Sequence, residues 1–185
     1  ISSQTEQDTR HFSRFSKLPC FDPSSAQEAY EMIQEAFEYS EKYDTPVFLR
    51  PTTRVCHGYA SIMVKDETEY THHQPEGFIK DSKRWVIFPR LSFMNHKKIE
   101  ARNQELSDIF SSYEKNTIHP SCDAFKDSKK GIATGGISYT YTMETLKKTG
   151  MVKTLKIATP HPFPEKLAVD FLSGLDEVLC LEELD

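Results

Sequence analysis

The sequence predicts an α/β protein built on a parallel sheet, and three features carry that prediction. In the last third, short apolar runs alternate with helix-patterned segments at the lengths of βαβ units. Near the N-terminus a capped amphipathic segment leads into another apolar run, half of a further unit. The 185 residues are 37% hydrophobic, which is enough for a packed core, while the length is too short for a large multi-domain enzyme.

Gln4 to Lys17 places Phe12 and Phe15 at helical spacing among polar residues, so a loop passes there into a short helix. Asp22-Pro23-Ser24-Ser25 announces the first long helix. Ser25 and Glu28 have capping-box spacing, and Ala29, Met32, Ile33, Ala36, Phe37 and Ser40 form one face. Thr45 to Arg50, with Pro46 near its start, reads as a buried strand. Val64 to Arg84 is charged, carries the turn signal Pro75-Glu76-Gly77 and has no apolar period, so it reads as a linker with a domain boundary. Trp85 to Pro89 is a strand or a docking arm. Asn95 then caps a helix with Ile99, Leu106, Ile109, Phe110 and Tyr113 on one side, and a polar connection runs from Asn116 to Lys130.

The regular region follows. Gly131 to Thr134 is a strand, Tyr139 to Thr149 a helix with Met143 and Leu146 inward, and Gly150 its stop. Leu155 to Ala158 is the next strand. Pro164 opens a helix with Leu167, Phe171 and Leu172 inward, and Val178 to Leu181 is the third strand. The ligand-facing carboxyl edge of such a sheet would carry Gly135-Gly136, Pro160-His161-Pro162 and Glu182-Glu183.

Charge and cysteine usage remove several function classes. A net charge of −5 gives no long-range attraction to phosphate backbones, so nucleic acid is not an expected partner. No window approaches the run of about 18 apolar residues that spans a bilayer, and the first residues have no signal-peptide pattern, so the reading is cytoplasmic with no membrane partner. The absent initiator Met suggests an excerpt of a longer polypeptide or a trimmed product. Cys20, Cys56, Cys122 and Cys180 are scattered, which fits reduced thiols rather than a locally spaced metal or iron–sulfur site.

Two segments stand out chemically. Ser2 to Arg10 packs donors, acceptors and opposite charges into one polar loop, and a solvated helix start is the plainer explanation. Thr52-Thr53-Arg54-Val55-Cys56-His57 follows a strand, so Arg54 and His57 emerge at a carboxyl edge, where an interdomain ion pair is the competing role. Three weaker features also occur. Thr134-Gly135-Gly136 lacks a full phosphate-loop pattern and reads as a tight turn, and His72-His73 reads as a solvated pair. No metal site is expected. Glu182-Glu183 ends a strand and could take a polar role.

SSQTEQDTRH, a capped helix with EAFEYSEKYDTPVFLR, and then TTRVCH occur here in the order found in the indolepyruvate:ferredoxin oxidoreductase alpha-subunit family, which the chain resembles. WVIFP followed by a charged helix, GIATGGISYTY, and TLKIATPHPFPEKLAVDFLSGLDEVLCLEEL resemble the next region of that family, while Glu67 to Lys83 stands outside the matched blocks. The resemblance implies a parallel three-layer α/β arrangement. Residues 1–63 would be the later part of a thiamine-diphosphate pyrimidine-binding domain, 64–84 a linker, and 85–185 a transketolase C-terminal-like domain.

For function, the resemblance implies part of a thiamine-diphosphate-dependent 2-oxoacid:ferredoxin oxidoreductase. That enzyme converts aryl pyruvates such as indolepyruvate to acyl-CoA, with electrons passing through iron–sulfur clusters to ferredoxin. Ser3, Gln4, Glu6, Gln7 and Arg10 would lie by the cofactor–substrate cleft together with Arg54 and His57. Arg10 is the first candidate, and Arg54 the second, for clamping a substrate carboxylate. Ile1 stands where the family has His. No Gly-Asp-Gly diphosphate–magnesium motif and no cysteine-rich segment occur, so this chain alone would be inactive, lacking a complete site for thiamine diphosphate, magnesium or a cluster. Its partners would be the rest of the alpha subunit, a beta subunit, ferredoxin and CoA, in an oligomer. The alternative is a non-catalytic assembly module that supplies a subunit interface.

Overall fold

The computed structural model describes residues 7–70, 72, 74–119, 129–150 and 152–184. It is mixed α/β, and no helix in the described residues is long and apolar enough to cross a membrane. The first half is organised around a short βαβ unit. After helix α1 (Arg10–Ser16), strand β1 (Cys20–Phe21) leads into helix α2 (Ala26–Tyr43), and strand β2 (Phe48–Leu49) returns parallel to β1. The sequence shows the helix and second strand of this unit. Its first strand is two residues long between Pro19 and Pro23, too short for any alternation to register.

Ser25 caps α2 by accepting a hydrogen bond from Glu28 N at 3.2 Å. The reciprocal half of the capping box is displaced by one residue, because the Glu28 carboxylate accepts from Ser24 N and Ser24 Oγ. The buried face also differs from the expected one. Met32 and Ala36 are buried with Tyr39 and Tyr43 packed beside them, whereas Phe37 is 67% exposed and Ile33 is also exposed. Tyrosines can enclose a core with their rings while the hydroxyl stays near water, so they displace the more apolar pair.

Helix α3 (Thr53–His57) follows β2, and the described residues from Gly58 through Phe88 are almost wholly exposed, with only a 3₁₀ turn at Glu67–Glu69 and helix α4 (Ser82–Trp85) among them. Trp85 to Phe88 pairs with no strand among the described residues. Helix α5 (Pro89–Phe110) begins earlier than expected: Phe88 is its N-cap, Pro89 occupies the first turn, where a missing N–H costs nothing, and Asn95 lies inside the helix.

Strand β3 (Thr117–His119) arises within the segment expected to be a polar connection. Strand β4 (Lys130–Gly135), helix α6 (Gly136–Thr149), strand β5 (Lys153–Ile157), helix α7 (Glu165–Leu172) and strand β6 (Glu177–Leu181) complete the chain. The sheet order is β3-β5-β4-β6. β4, β5 and β6 are parallel and β3 is antiparallel to β5, so among the described residues the sheet has four strands and is mixed rather than wholly parallel. Buried Asn116 makes that antiparallel return possible. Its amide nitrogen donates to Phe110 O and Thr159 Oγ1, and its amide oxygen accepts from Ala158 N and Thr159 N. The end of α5 is thereby tied to the end of β5, which reverses the chain. Cys122 lies outside the described residues.

Two apolar clusters result. Phe21, Met32 and Ala36 from the βαβ unit pack with Leu106 and Phe110 of α5 and with Ala158, and Phe21 stands edge-on to Tyr39, Phe110 and Tyr113 at 5.4–5.8 Å. Leu155, Ala168 and Phe171 form the second, between the sheet and α7. Residues on both sides of the exposed stretch 64–84 therefore share one core. Limited proteolysis should cut first between Val64 and Arg84. The two products should still co-elute in native gel filtration and separate only under denaturing conditions. Early cleavage inside α2 or β4–β6 would contradict this arrangement.

Candidate functional site

Parallel strands β4, β5 and β6 end at Gly135, Ile157 and Leu181, the edge at which open α/β sheets receive ligands. Here that edge is met by the first half of the chain. Cys20 N donates to His161 O at 2.7 Å, Asp22 N to Ala158 O at 2.8 Å, and Arg50 N to Phe21 O at 2.8 Å. β1 is thus stitched to the segment that leaves β5, and the residue after β2 is stitched to β1.

Asp22 sits at this junction, 2% exposed. Its carboxylate accepts from Arg50 Nη1 at 3.2 and 3.3 Å and lies against Gly136, where an added Cβ would come within 3.2 Å of it. Gly136 also has φ +48°, so both backbone and space favour glycine, as expected of a tight turn. Burial pushes the Asp22 pKa up to about 6 despite the neighbouring Arg50 and Arg10. Burial and the Asp22 charge together push the Cys20 thiol up to about 12, so it is not a thiolate nucleophile.

Arg10 extends this network outward. Its Nε donates to both Asp8 carboxylate oxygens at 2.9 Å, its Nη2 to Asp8 Oδ2 at 2.7 Å and to Leu184 O at 3.4 Å, and its Nη1 to Glu182 Oε2. Burial pulls the Arg10 pKa down, but the hydrogen bonds of Asp8 and Glu182 outweigh it and the net shift is upward. Burial likewise pushes Asp8 up, and the Arg10 hydrogen bonds with the Arg10 and Arg50 charges outweigh it and hold Asp8 below its ordinary range.

Beside this network lies a cavity of about 690 Å³ lined by Thr53, Arg54, His57, Ile137, Tyr141, Glu183 and Leu184. The Arg54 guanidinium stands 6.0 Å from the Tyr141 ring centroid. Thr52 Oγ1, in a residue 4% exposed, and Glu183 Oε2 are buried without a hydrogen-bond partner among the described residues. The cavity combines a guanidinium, an imidazole, an aromatic face and a carboxylate. That set can fix an anionic group and stack an aromatic one.

The structure brings Arg54 and His57 together and places Arg10 behind the wall of their cavity, holding residues 182 and 184. Gln7 is exposed, and Ser3, Gln4 and Glu6 lie outside the described residues. His72 is exposed, and His73 lies outside them. Asp22, Arg50 and Tyr141 escaped sequence reasoning: Asp22 reads as a helix-start residue and Arg50 as a strand end, and nothing local links positions 28 residues apart. Among the described residues no three His, Cys, Asp or Glu side chains converge as a metal site.

No known family model matches the chain. Its sequence is similar throughout to indolepyruvate oxidoreductase subunit IorA. Identity is 37% over 187 residues with Methanothermobacter thermautotrophicus IorA, 37% over 189 with that of Pyrococcus abyssi, and 32% over 187 with that of Archaeoglobus fulgidus. In each case the whole chain is covered, and it spans 28–29% of the relative's length. The chain thus corresponds over its full length to a part of that subunit.

The Asp22 environment gives a pH signature. An unfolded Asp titrates at about 3.9, so the folded state with its value near 6 holds the proton more tightly. The proton-linked part of this group's contribution to stability is full well below pH 4 and is lost as pH rises through about 6. Asp22→Asn removes it. The unfolding free energy of the unsubstituted chain minus that of Asp22→Asn should fall by roughly 2 kcal/mol between pH 4 and 7. Urea titrations at several pH values measure this, and a pH-independent difference would contradict the assignment.

Proposed function

We propose that this chain is part of a thiamine-diphosphate-dependent indolepyruvate:ferredoxin oxidoreductase and forms one wall of its substrate cleft. The observation that carries this reading is the whole-length similarity to IorA at 32–37% identity. The cavity at the carboxyl edge supports it. Aryl pyruvates have an anionic carboxylate and a flat aromatic group, and the Arg54 guanidinium and Tyr141 ring offer complements to both.

In this reading the complete enzyme oxidatively decarboxylates the aryl pyruvate to acyl-CoA and passes electrons to ferredoxin. Thiamine diphosphate, magnesium and the iron–sulfur clusters are held elsewhere in the assembled enzyme, and the chemistry at the cofactor takes place there. The present residues bind and orient. Arg54 clamps the carboxylate, His57 lines the same cavity, and Arg10 is a positioning residue that fixes Glu182 and Leu184 beside the lining Glu183. Ser3, Gln4, Glu6 and Gln7 are the further cleft candidates of this reading. The reading also carries the division into 1–63 as the later part of a pyrimidine-binding domain, 64–84 as a linker and 85–185 as a transketolase C-terminal-like domain. The rest of the alpha subunit, a beta subunit, ferredoxin and CoA are its partners, in an oligomer in the cytoplasm.

A second reading, a non-catalytic assembly module, is favoured by one observation. Trp85, Val86, Ile87 and Phe88 are 49–64% exposed in succession, with Phe93 and Met94 exposed beyond them, as expected of an arm awaiting a neighbouring surface.

Kinetics on the assembled enzyme separate the two. Arg54→Lys keeps the charge and loses the planar fork, so kcat/KM for an aryl pyruvate should fall about 10-fold to 100-fold with assembly intact. Arg10→Lys should lower it less and also lower the melting temperature, since it loosens the wall rather than the contact. Unchanged kinetics in Arg54→Lys would contradict the cleft role. Loss of activity together with dissociation in size-exclusion chromatography would favour the assembly module.

A further inference from the structure

One stretch of the chain is opposite in charge to the rest and stands clear of both apolar clusters. Within residues 78–98 six lysines and arginines face a single carboxylate, Asp81, a local net charge of +5 in a chain of −5. The apolar residues of this arm are exposed as well: Trp85 to Phe88 in succession, then Phe93 and Met94 in the first turns of α5, whose buried residues begin only at Leu106. The arm is nonetheless organised. Phe78 stacks on Trp85 with ring centroids 6.1 Å apart, Trp85 Nε1 donates to Ile79 O at 2.8 Å, and the Arg84 guanidinium lies 4.6 Å from the Trp85 ring centroid. A formed surface of aromatic and basic groups fits an apolar surface of opposite charge.

Such a surface occurs on α2. Ile33, Phe37 and Glu41 follow one another at four-residue spacing on its outer face, Glu38 flanks them, and all four are exposed. Among the described residues Glu38 and Glu41 have no cation partner, and Lys80, Lys83, Arg90 and Lys98 of the arm have no carboxylate partner. Arg84 Nη2 donates to Asp44 Oδ1 at 2.7 Å, and Asp44 is the C-cap of α2. The arm therefore passes the end of the stripe on its own α2, and the two lie side by side. A patch with one basic apolar half and one acidic apolar half is complementary to itself after a two-fold rotation, which sets each half against the unlike half of a second copy.

We propose that two copies of this chain pair about a two-fold axis, with residues 78–98 of each lying on the Ile33, Phe37 and Glu41 stripe of the other. The apolar residues of the arm cover Ile33 and Phe37. Lys83 and Arg90 meet Glu38 and Glu41 at the rim, where charge sets partner and register more than affinity. Arm and stripe together hold about as many residues as a standard interface engages on each side, roughly 20–30. The pairing deepens the assembly reading by naming the surface that the arm meets, and it does not depend on the oxidoreductase reading or on the Arg54 cavity.

Sedimentation velocity of the full chain at low salt should show a dimer at micromolar concentration that weakens as ionic strength rises. Lys83→Glu with Arg90→Glu reverses the arm, and Glu38→Lys with Glu41→Lys reverses the stripe. All four positions are exposed, so each double variant should keep the circular dichroism spectrum of the unsubstituted chain while its self-association weakens about 10-fold or more. Mixing the two variants restores both unlike contacts at once, and the mixture should dimerise with close to the unsubstituted affinity. That rescue is specific to reciprocal pairing. The readout is association alone, so no outcome bears on the cleft role of Arg54. A chain that stays monomeric at tens of micromolar, a dimer that neither pair of reversals weakens, or a mixture without rescue would overturn the proposal and leave the arm to another segment of a longer subunit or to a different protein.

Discussion

The structure depends on one buried charge pair. Asp22 and Arg50 stand at the ends of β1 and β2, 28 residues apart, and meet over the start of α6. Neither side chain is more than 9% exposed. Two charges removed from water are tolerated only when each has the other and further hydrogen bonds, and removing either partner leaves an uncompensated buried charge. The pair therefore locks the ends of the two short strands to each other, at the point where Asp22 N donates to Ala158 O and the Asp22 carboxylate lies against Gly136. Arg50 also donates to Thr9 Oγ1 and approaches Asp8, and Asp8 in turn orients Arg10 toward Glu182 and Leu184. A chain of alternating charges thus runs from the buried junction to the wall of the Arg54 cavity.

Other contacts work in the same direction at different depths. Lys156 of β5 and Glu28 of α2 form a second buried ion pair across the two halves. Burial raises the Glu28 pKa, but the Lys156 charge and hydrogen bond outweigh it and hold Glu28 below its ordinary range. Lys115, just after α5, reaches Glu35 of α2 at 2.6 Å, and Tyr113 donates to the same carboxylate. The aromatic cluster around Phe21 supplies the non-directional attraction. The ion pairs choose which of many apolar packings is adopted, because a shifted helix would strand their charges.

Legibility from sequence followed the range of the interactions. Helix α2 was readable because Ser25 and Glu28 are three residues apart, and β4, α6, β5, α7 and β6 because each is several residues long with a stop or start signal nearby. Strands β1 and β3 were not readable, since two and three residues carry no period, and β3 is held by Asn116 acting on residues 42 and 43 positions away. The exposed Phe37 had the right helical spacing, and only the tertiary placement of Tyr39 and Tyr43 excludes it from the core. Arg54 and His57 were accessible to reasoning because they directly follow a strand end. Asp22 and Arg50 were not, because their relation is purely tertiary.

A double-mutant cycle on Asp22 and Arg50 tests this dependence most directly. Asp22→Asn, Arg50→Met and the double variant are unfolded in urea at neutral pH. Each single change should destabilise the chain, and the coupling energy should be about 2 kcal/mol or more, so that the double variant loses much less than the sum. Additivity within about 0.5 kcal/mol would contradict the claim that this pair holds the ends of β1 and β2 together at the junction.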